Sequence, residues 1–182
     1  MTPSAETISN PKRSIDILLA EDNEADIKIA LRAFDKARIK NNIFVVRHGE
    51  EALNYVQNQR QYADSSVFKY PDMILLDIQM PKLTGFDVLK VLKKDEKFKA
   101  IPVVMLTSSK SDEDIVKSYR YGAVSFIQKP INYEEFEKVV EVFNLYWHNI
   151  NKLPNLKKST PPDRRLSTYP DRLLRVMTLL WH

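Results

Sequence analysis

The chain alternates short apolar runs with longer amphipathic stretches, and it does so five times in succession from Ile15 onward. The apolar runs are rich in β-branched residues and predict strands over residues 15–20, 43–47, 73–76, 102–106 and 124–128. The amphipathic stretches predict helices over residues 24–38, 50–60, 85–95, 112–121 and 132–150. Five β-then-α units in a row require a parallel sheet that is covered by helices on both faces. The predicted fold class is therefore α/β, a doubly wound five-stranded parallel sheet with strand order 2-1-3-4-5.

Apolar residues at helical spacing predict which helix faces pack on the sheet. The inward residues of the first two helices are predicted to be Ile27, Leu31, Phe34, Ala52, Leu53 and Val56. The last helix has a wider apolar face, formed by Phe136, Val139, Val140, Val142, Phe143, Tyr146, Trp147 and Ile150. We interpret it as a well-buried last helix. The alternative, which stays open, is that the extra width forms a homodimer interface.

The charge distribution divides the chain into a neutral domain and a basic tail. We predict a flexible segment over residues 1–14, one domain over residues 15–152, and a basic, proline-rich tail of unknown role over residues 153–182. Residues 1–152 carry 22 basic and 22 acidic side chains, so the formal charge of +4 belongs to the tail. A neutral domain gives no reason to expect that it binds nucleic acid. With no signal-like segment and no membrane-length apolar run, we expect a cytoplasmic protein without membrane contact.

Scarce residue types exclude several kinds of functional site. The absence of cysteine excludes disulfides, Cys-ligated zinc and a thiol nucleophile. The three glycines are too far apart to form a phosphate-binding loop or a dinucleotide fingerprint. The three histidines are equally scattered and cannot form a His-rich metal cage. A phosphate or metal site in this chain would have to be built from carboxylates, hydroxyls and lysine.

Such residues follow the predicted strands at their carboxyl ends, which is where ligands bind in open α/β sheets. They are Glu21 and Asp22 after the first strand, Asp77 after the third, Thr107 and Ser108 after the fourth, and Lys129 and Pro130 after the fifth. Carboxylates brought together at one edge repel each other unless a cation lies between them. Oxygen ligands without histidine or cysteine favour a hard ion, Mg²⁺ before Mn²⁺ or Ca²⁺. Asp77 is central in this group and is the natural acceptor of a phosphoryl group.

These residues lie in segments that resemble the receiver domain of two-component response regulators. The segments are LLAEDNEAD (18–26), MILLDIQMPKLTGFDVL (73–89), IPVVMLTSS (101–109) and VSFIQKP (124–130), and the similarity runs from about residue 15 to 150. The resemblance implies a flavodoxin/CheY-like fold and phosphorylation of Asp77 by the phosphohistidine of a sensor histidine kinase. It also implies that Mg²⁺, or Mn²⁺ as a substitute, is bound by Glu21, Asp22, Asp77 and the backbone carbonyl of Gln79.

The same resemblance assigns roles to the remaining strand-end residues. It makes Thr107 the switch hydroxyl, Lys129 the phosphoryl-binding lysine and Phe126 the aromatic switch residue, and it implies a cis bond before Pro130. The activity that it implies is Mg²⁺-dependent self-phosphorylation and autodephosphorylation rather than catalysis on a separate substrate. The long segment at residues 61–70 and the last helix further resemble the single-domain regulators that partner bacterial phytochromes. Residues 154–182 resemble nothing in receivers.

Signalling by protein–protein contact, with a downstream target that the sequence does not name, is the function predicted here. The first alternative is a phosphorelay intermediate that passes its phosphoryl group to a histidine phosphotransfer protein. A hydrolase of the haloacid dehalogenase type is disfavoured, since it needs a second acid where this chain has Gln79. A flavodoxin-like FMN carrier is disfavoured because the acidic residues at 21–26 would repel a phosphate. A thirty-residue tail with four prolines is also too short for a DNA-binding output domain.

Overall fold

The computed structural model describes residues 14–37, 41–109, 111–129 and 133–144, and the side chains of residues 142–144 are not described. Five parallel strands form one sheet in the order 2-1-3-4-5, which confirms the predicted fold class. The strands are β1 (Ile15–Ala20), β2 (Asn41–Val46), β3 (Met73–Asp77), β4 (Val103–Thr107) and β5 (Ser125–Gln128). The helices are α1 (Glu24–Lys36), α2 (Gly49–Val56), α3 (Gly85–Lys94), α4 (Asp112–Arg120) and α5 (Tyr133–Asn144). Among these helices none is long and apolar enough to cross a membrane.

The two faces of the sheet support two separate hydrophobic cores. Successive strand residues point to opposite faces, so Leu18 packs with α2 and α3 while its neighbours Ile17 and Leu19 pack with α1 and α5. The three inner strands are buried at nearly every position because helices cover both faces. Strands β1, β3 and β4 pair side by side in parallel, so their carboxyl ends lie at one edge of the sheet.

Two predicted inward residues do not lie in the core. Leu31 in α1 is 37% exposed, and Leu53 in α2 is only partly buried. The predicted residues Ala52 and Val56 are buried, and Tyr55, which was not predicted, is buried with them at an exposed fraction of 2%. Its ring packs against Tyr62 and Phe68, so the long segment before β3 supplies aromatic partners that periodicity alone could not reveal.

Several predicted element ends shift by a few residues. The second helix ends at Val56 rather than at residue 60, because Asn58 and Arg60 adopt left-handed backbone conformations with φ of 52° and 53°. A short 3-10 helix, Arg60–Tyr62, follows it. The second strand begins at Asn41, two residues before its predicted start. Strands β3 and β4 each run one residue further than predicted, so Asp77 and Thr107 are the last residues of their strands.

Other predictions fall on residues outside the described part of the chain. These are the predicted flexible segment over residues 1–14, of which the structure describes only Ser14, the cis bond before Pro130, the end of the last helix beyond residue 144, and the tail over residues 153–182. The domain boundary at residue 152 stays a prediction for the same reason.

Candidate functional site

Three carboxylates from two neighbouring strand ends converge at the carboxyl edge of the sheet. Glu21 and Asp22 follow β1, and Asp77 ends β3, with one oxygen from each lying within 4.8 Å of the others. Glu21 and Asp77 are 2% and 4% exposed, whereas Asp22 is exposed to solvent. Burial raises the pKa of Glu21, and the nearby charge of Asp77 adds to that rise. The predicted convergence of these residues is therefore found in the fold.

Lys129 lies directly over this acidic group. Its Nζ is 2.6 Å from a carboxylate oxygen of Glu21 and 3.2 Å from one of Asp77. Burial by itself would lower the pKa of Lys129, but the hydrogen bond to Glu21 and the charge of Asp77 raise it above the ordinary lysine value. The ammonium therefore stays charged and offsets part of the repulsion among the carboxylates.

The carboxylate of Asp77 is held at both oxygens. Its Oδ1 accepts a hydrogen bond from the backbone N–H of Ile78 at 2.8 Å, and its Oδ2 faces Lys129. Burial raises the pKa of Asp77, while Lys129 and the N–H groups of Ile78 and Gln79 oppose that rise. These contacts hold the Asp77 carboxylate in one orientation, facing the Lys129 ammonium at the edge of the sheet, from which it can attack an electrophile.

Thr107 lies at the end of β4 and is completely buried. Its Oγ1 accepts a hydrogen bond from the backbone N–H of Ser109 at 3.0 Å, and its carbonyl accepts one from the N–H of Lys129 at 2.6 Å. Phe126, in the neighbouring strand β5, is partly buried and packs against the core on the α2–α3 face. Gln79 is exposed, and its carbonyl stays only a predicted ligand.

Sequence analysis missed one member of the site, Asp26. This residue lies in the first turn of α1, and its Oδ2 is 3.0 Å from Nζ of Lys129. The signal was present, because α1 begins three residues after Glu21 and its first turn must lie beside the same strand end. We interpreted the acidic residues there as repelling a phosphate rather than as partners of the lysine.

The donor set fits a hard divalent cation. Three carboxylates provide oxygen ligands at one edge, and one of them is accessible to solvent, so an ion has a path of entry. An ion at this position would relieve the repulsion between the buried carboxylates of Glu21 and Asp77.

Comparison with known proteins places this site in a family. The sequence profile described as the response regulator receiver domain matches residues 17–141. The chain belongs to the response regulator receiver domain family. Receiver domains are signalling phosphoacceptors, so the predicted phosphoacceptor signalling role is confirmed, and the phosphorelay alternative is not better supported. The family binds a divalent metal, and the acidic cluster of this receiver fits one.

Two curated relatives cover most of this receiver. The probable methanogenesis regulatory protein FilR2 of Methanothrix harundinacea is 37% identical over 138 residues, 76% of this chain and 86% of the relative. Response regulator Rcp1 of Synechocystis is 32% identical over 146 residues, 80% of this chain and 96% of the relative.

Solved structures resemble the receiver in fold as well. The phosphorylated cyanobacterial phytochrome response regulator RcpA matches with a TM-score of 0.72 and 34% identity, over 78% of this chain and 99% of that one. The Mn²⁺-bound form of Rcp1 matches with a TM-score of 0.70 and 31% identity, over 77% of this chain and 99% of that one. The CheY-like fold inferred from the strand pattern is thus shared with experimentally determined receivers.

Proposed function

We propose that Asp77 accepts a phosphoryl group from the phosphohistidine of a sensor kinase, and that Glu21, Asp22 and Asp77 bind the Mg²⁺ that this reaction requires. The observation that carries the proposal is the meeting of these three carboxylates with Lys129 at one edge of the sheet. Mn²⁺ would substitute for Mg²⁺ at the same ligands, in keeping with the Mn²⁺ bound to the similar protein Rcp1. The carbonyl of Gln79 completes the proposed ligand set.

The proposed chemistry follows from the charges at this edge. A carboxylate oxygen of Asp77 attacks phosphorus, the bond from phosphorus to the histidine nitrogen breaks, and the imidazole leaves with the bonding electron pair. The metal ion, when bound, neutralises charge on the phosphoryl oxygens. The ammonium of Lys129 pairs with another of these oxygens, since it already faces Asp77 at 3.2 Å.

Thr107 and Phe126 form the proposed switch. The Thr107 oxygen accepts its hydrogen bond from Ser109, so the hydroxyl proton is available for donation. A phosphoryl group on Asp77 offers strong acceptor oxygens, and we propose that Thr107 turns toward them and that Phe126 repacks in response. The rearrangement changes the surface formed by α4, β5 and α5, which contacts the next protein in the pathway. A cis bond before Pro130 is part of the same proposal.

The proposed kinase is of the phytochrome type. Support comes from the similarity to RcpA, a cyanobacterial phytochrome response regulator. FilR2 has a higher sequence identity than RcpA, 37%, and is a probable methanogenesis regulatory protein, so similar receivers serve different regulatory systems. The test is to compare the rate of phosphotransfer to this protein from a purified phytochrome kinase with the rate from a histidine kinase that is not a phytochrome. We also propose that the protein is cytoplasmic.

A homodimer through the last helix is also proposed. In the described part of α5, Phe136 and Val140 are buried in the receiver's own core, and the outward positions Glu134, Glu135 and Lys138 are charged. The proposed interface therefore depends on side chains beyond residue 141, which are not described. Sedimentation at high micromolar concentration, with and without a phosphoryl mimic, should show a dimer; monomer under both conditions contradicts the proposal.

The phosphoacceptor assignment is tested with acetyl phosphate and Mg²⁺, followed by the intact mass of the protein. Wild type should gain one phosphoryl group, and Asp77→Asn should gain none. Asp72→Asn is a matched control, because Asp72 is also a buried aspartate but precedes β3 rather than ending it. Equal phosphorylation of Asp77→Asn and wild type would overturn the assignment.

A further inference from the structure

The ammonium of Lys129 has a third carboxylate neighbour that does not belong to the acidic cluster. Its Nζ is 3.0 Å from Oδ2 of Asp26, in addition to its contacts with Glu21 and Asp77. Asp26 lies in the first turn of α1. Its side chain is 38% exposed, whereas the side chains of Glu21 and Asp77 are 2% and 6% exposed. Asp26 is therefore the most exposed of the three carboxylates that contact Lys129.

A divalent cation and the lysine draw on the same carboxylates. The cation would need oxygens of Glu21 and Asp77, and Lys129 forms ion pairs with both of these residues. Two positive groups that share two carboxylates repel each other strongly where water is excluded. The lysine side chain is only 13% exposed, so water screens this repulsion weakly.

Asp26 gives the ammonium a carboxylate partner that is not one of the proposed metal ligands. A cavity of about 20 Å³ lies beside the lysine and is lined by Glu21, Asp26 and Lys129 on its polar side. Nζ is already in contact with Asp26, and this space leaves room for the lysine side chain to adjust while that contact is kept.

We propose that Asp26 is a positioning residue that holds the Lys129 ammonium while a divalent cation occupies Glu21, Asp22 and Asp77. The inference rests on the proposed function, because it assumes that these three residues bind the metal. It adds a specific role for a fourth carboxylate, which acts on metal binding through the lysine and not as a metal ligand.

The chain provides a matched control for the charge of Asp26. Glu24 lies in the same first turn of α1, but it pairs with Arg47 at 2.7 Å rather than with Lys129. Asp26→Asn and Glu24→Gln each remove one negative charge from this turn, and the contact with the lysine is lost in Asp26→Asn alone. A long-range effect of charge would change Mg²⁺ binding in both variants. If Asp26 instead acts through its contact with the lysine, Mg²⁺ binding should change in Asp26→Asn alone.

The experiment is calorimetric titration of the full chain with MgCl₂. Asp26→Asn should raise the Mg²⁺ dissociation constant about three- to fivefold, which is the size of an ion pair near the surface. Glu24→Gln should change the constant much less, and Asp26→Glu should restore binding. In a Lys129→Met background, Asp26→Asn should have no further effect, because its action requires the ammonium.

Each outcome decides between the two proposals. No Mg²⁺ binding by wild type overturns the metal site and this inference together. Normal binding by wild type with no difference between Asp26→Asn and Glu24→Gln, or an effect of Asp26→Asn that persists without Lys129, overturns this inference alone. If Lys129→Met does not fold, the ¹⁵N signal of the Lys129 ammonium decides: with Mg²⁺ it should persist in wild type and broaden in Asp26→Asn, and equal behaviour contradicts the inference.

Discussion

Gly85, the first residue of α3, packs directly against the backbone of Asp77. A Cβ atom at Gly85 would lie 2.9 Å from the carbonyl carbon of Asp77 and closer still to its carbonyl oxygen. The N–H of Gly85 also donates a hydrogen bond to the carbonyl of Ile78 at 2.9 Å. The start of α3 and the end of β3, which carries the proposed phosphoacceptor, therefore fit together only because this position has no side chain.

Gly85→Ala is expected to destabilise the protein by about 2–4 kcal/mol, because the backbone of Asp77 has to move to accept the methyl group. The displacement should also slow phosphorylation by acetyl phosphate. Urea unfolding and the rate of mass gain measure the two effects. Val91→Ala is the control on the same helix, since Val91 is 40% exposed and should change the unfolding free energy much less. Equal stability of Gly85→Ala and wild type would contradict the packing argument.

Removing the charge of Asp77 should stabilise the protein in the absence of metal. Asp77→Asn removes the repulsion with Glu21 but leaves Lys129 paired with Glu21 and Asp26, so we expect a gain of about 1–2 kcal/mol. Wild type should gain about 1.5–3 kcal/mol from Mg²⁺ at ten to a hundred times its dissociation constant, and the variant much less. Thermal unfolding with MgCl₂ or EDTA checks both expectations. Glu96→Gln, which removes an exposed acid, should respond to Mg²⁺ as wild type does; a Mg²⁺ response of Asp77→Asn equal to that of wild type would be evidence against the metal site.

Lys93 should make the folding stability depend on pH. Its Nζ donates hydrogen bonds to the carbonyls of Lys99 and Ile101 at 2.9 and 2.7 Å, and burial lowers its pKa from 10.5 to about 8. Between these two pH values the unfolded chain binds more protons than the folded one, so the contribution of Lys93 to stability rises with pH. The unfolding free energy of wild type minus that of Lys93→Met should therefore increase by about 1–2 kcal/mol from pH 8 to pH 10.

The control for this measurement is Lys94→Met, which removes the exposed neighbouring lysine. The same difference calculated with Lys94→Met should stay flat over the range. A flat difference for Lys93→Met as well would show that Lys93 has an ordinary pKa.

Two neighbouring tyrosines should respond in opposite ways to loss of their hydroxyl groups. The Tyr62 hydroxyl donates to a carboxylate oxygen of Glu51 at 2.5 Å, whereas the buried Tyr55 hydroxyl has no hydrogen-bond partner within the described part of the chain. The rings themselves lie 5.1 Å apart, so they share one apolar environment. Tyr62→Phe should cost about 1–2 kcal/mol, and Tyr55→Phe should be neutral or stabilising by up to about 1 kcal/mol. Urea unfolding at neutral pH measures both, and a similar cost for the two variants would contradict this interpretation.

The sequence was sufficient to predict the sheet and the residues that meet at its edge. Strand order follows from five β-then-α units, and once the order is known, Glu21 and Asp77 must lie together because β1 and β3 are neighbours. Lys129 follows β5, which is separated from β3 by β4 alone, so its long side chain can reach the same carboxyl edge. The prediction succeeded because it used chain order and strand ends, which do not depend on side-chain conformation.

Details that depend on contacts between distant segments were not predictable in this way. Tyr55 is buried because residues 60–68 fold over it, and the pattern within its own helix gives no sign of that cover. The link between Asp26 and Lys129 spans 103 residues and depends on how α1 docks beside β5. The end of α2 is set by left-handed conformations at Asn58 and Arg60. Asparagine is a typical residue for such a helix end, so Asn58 was a signal that the sequence offered, whereas arginine has no such preference.

The backbone hydrogen bond from Lys129 to the carbonyl of Thr107 has a consequence for anyone who redesigns a receiver. In the register of β4 and β5, Thr107 lies opposite Gln128, so the backbones of Thr107 and Lys129 lie at adjacent positions of one ladder. Strand pairing therefore fixes the distance between these two backbones, whereas the length of each side chain sets how far its hydroxyl or ammonium reaches. A designer can change that reach by substituting either side chain, but has to change the register of the two strands to move the attachment points themselves.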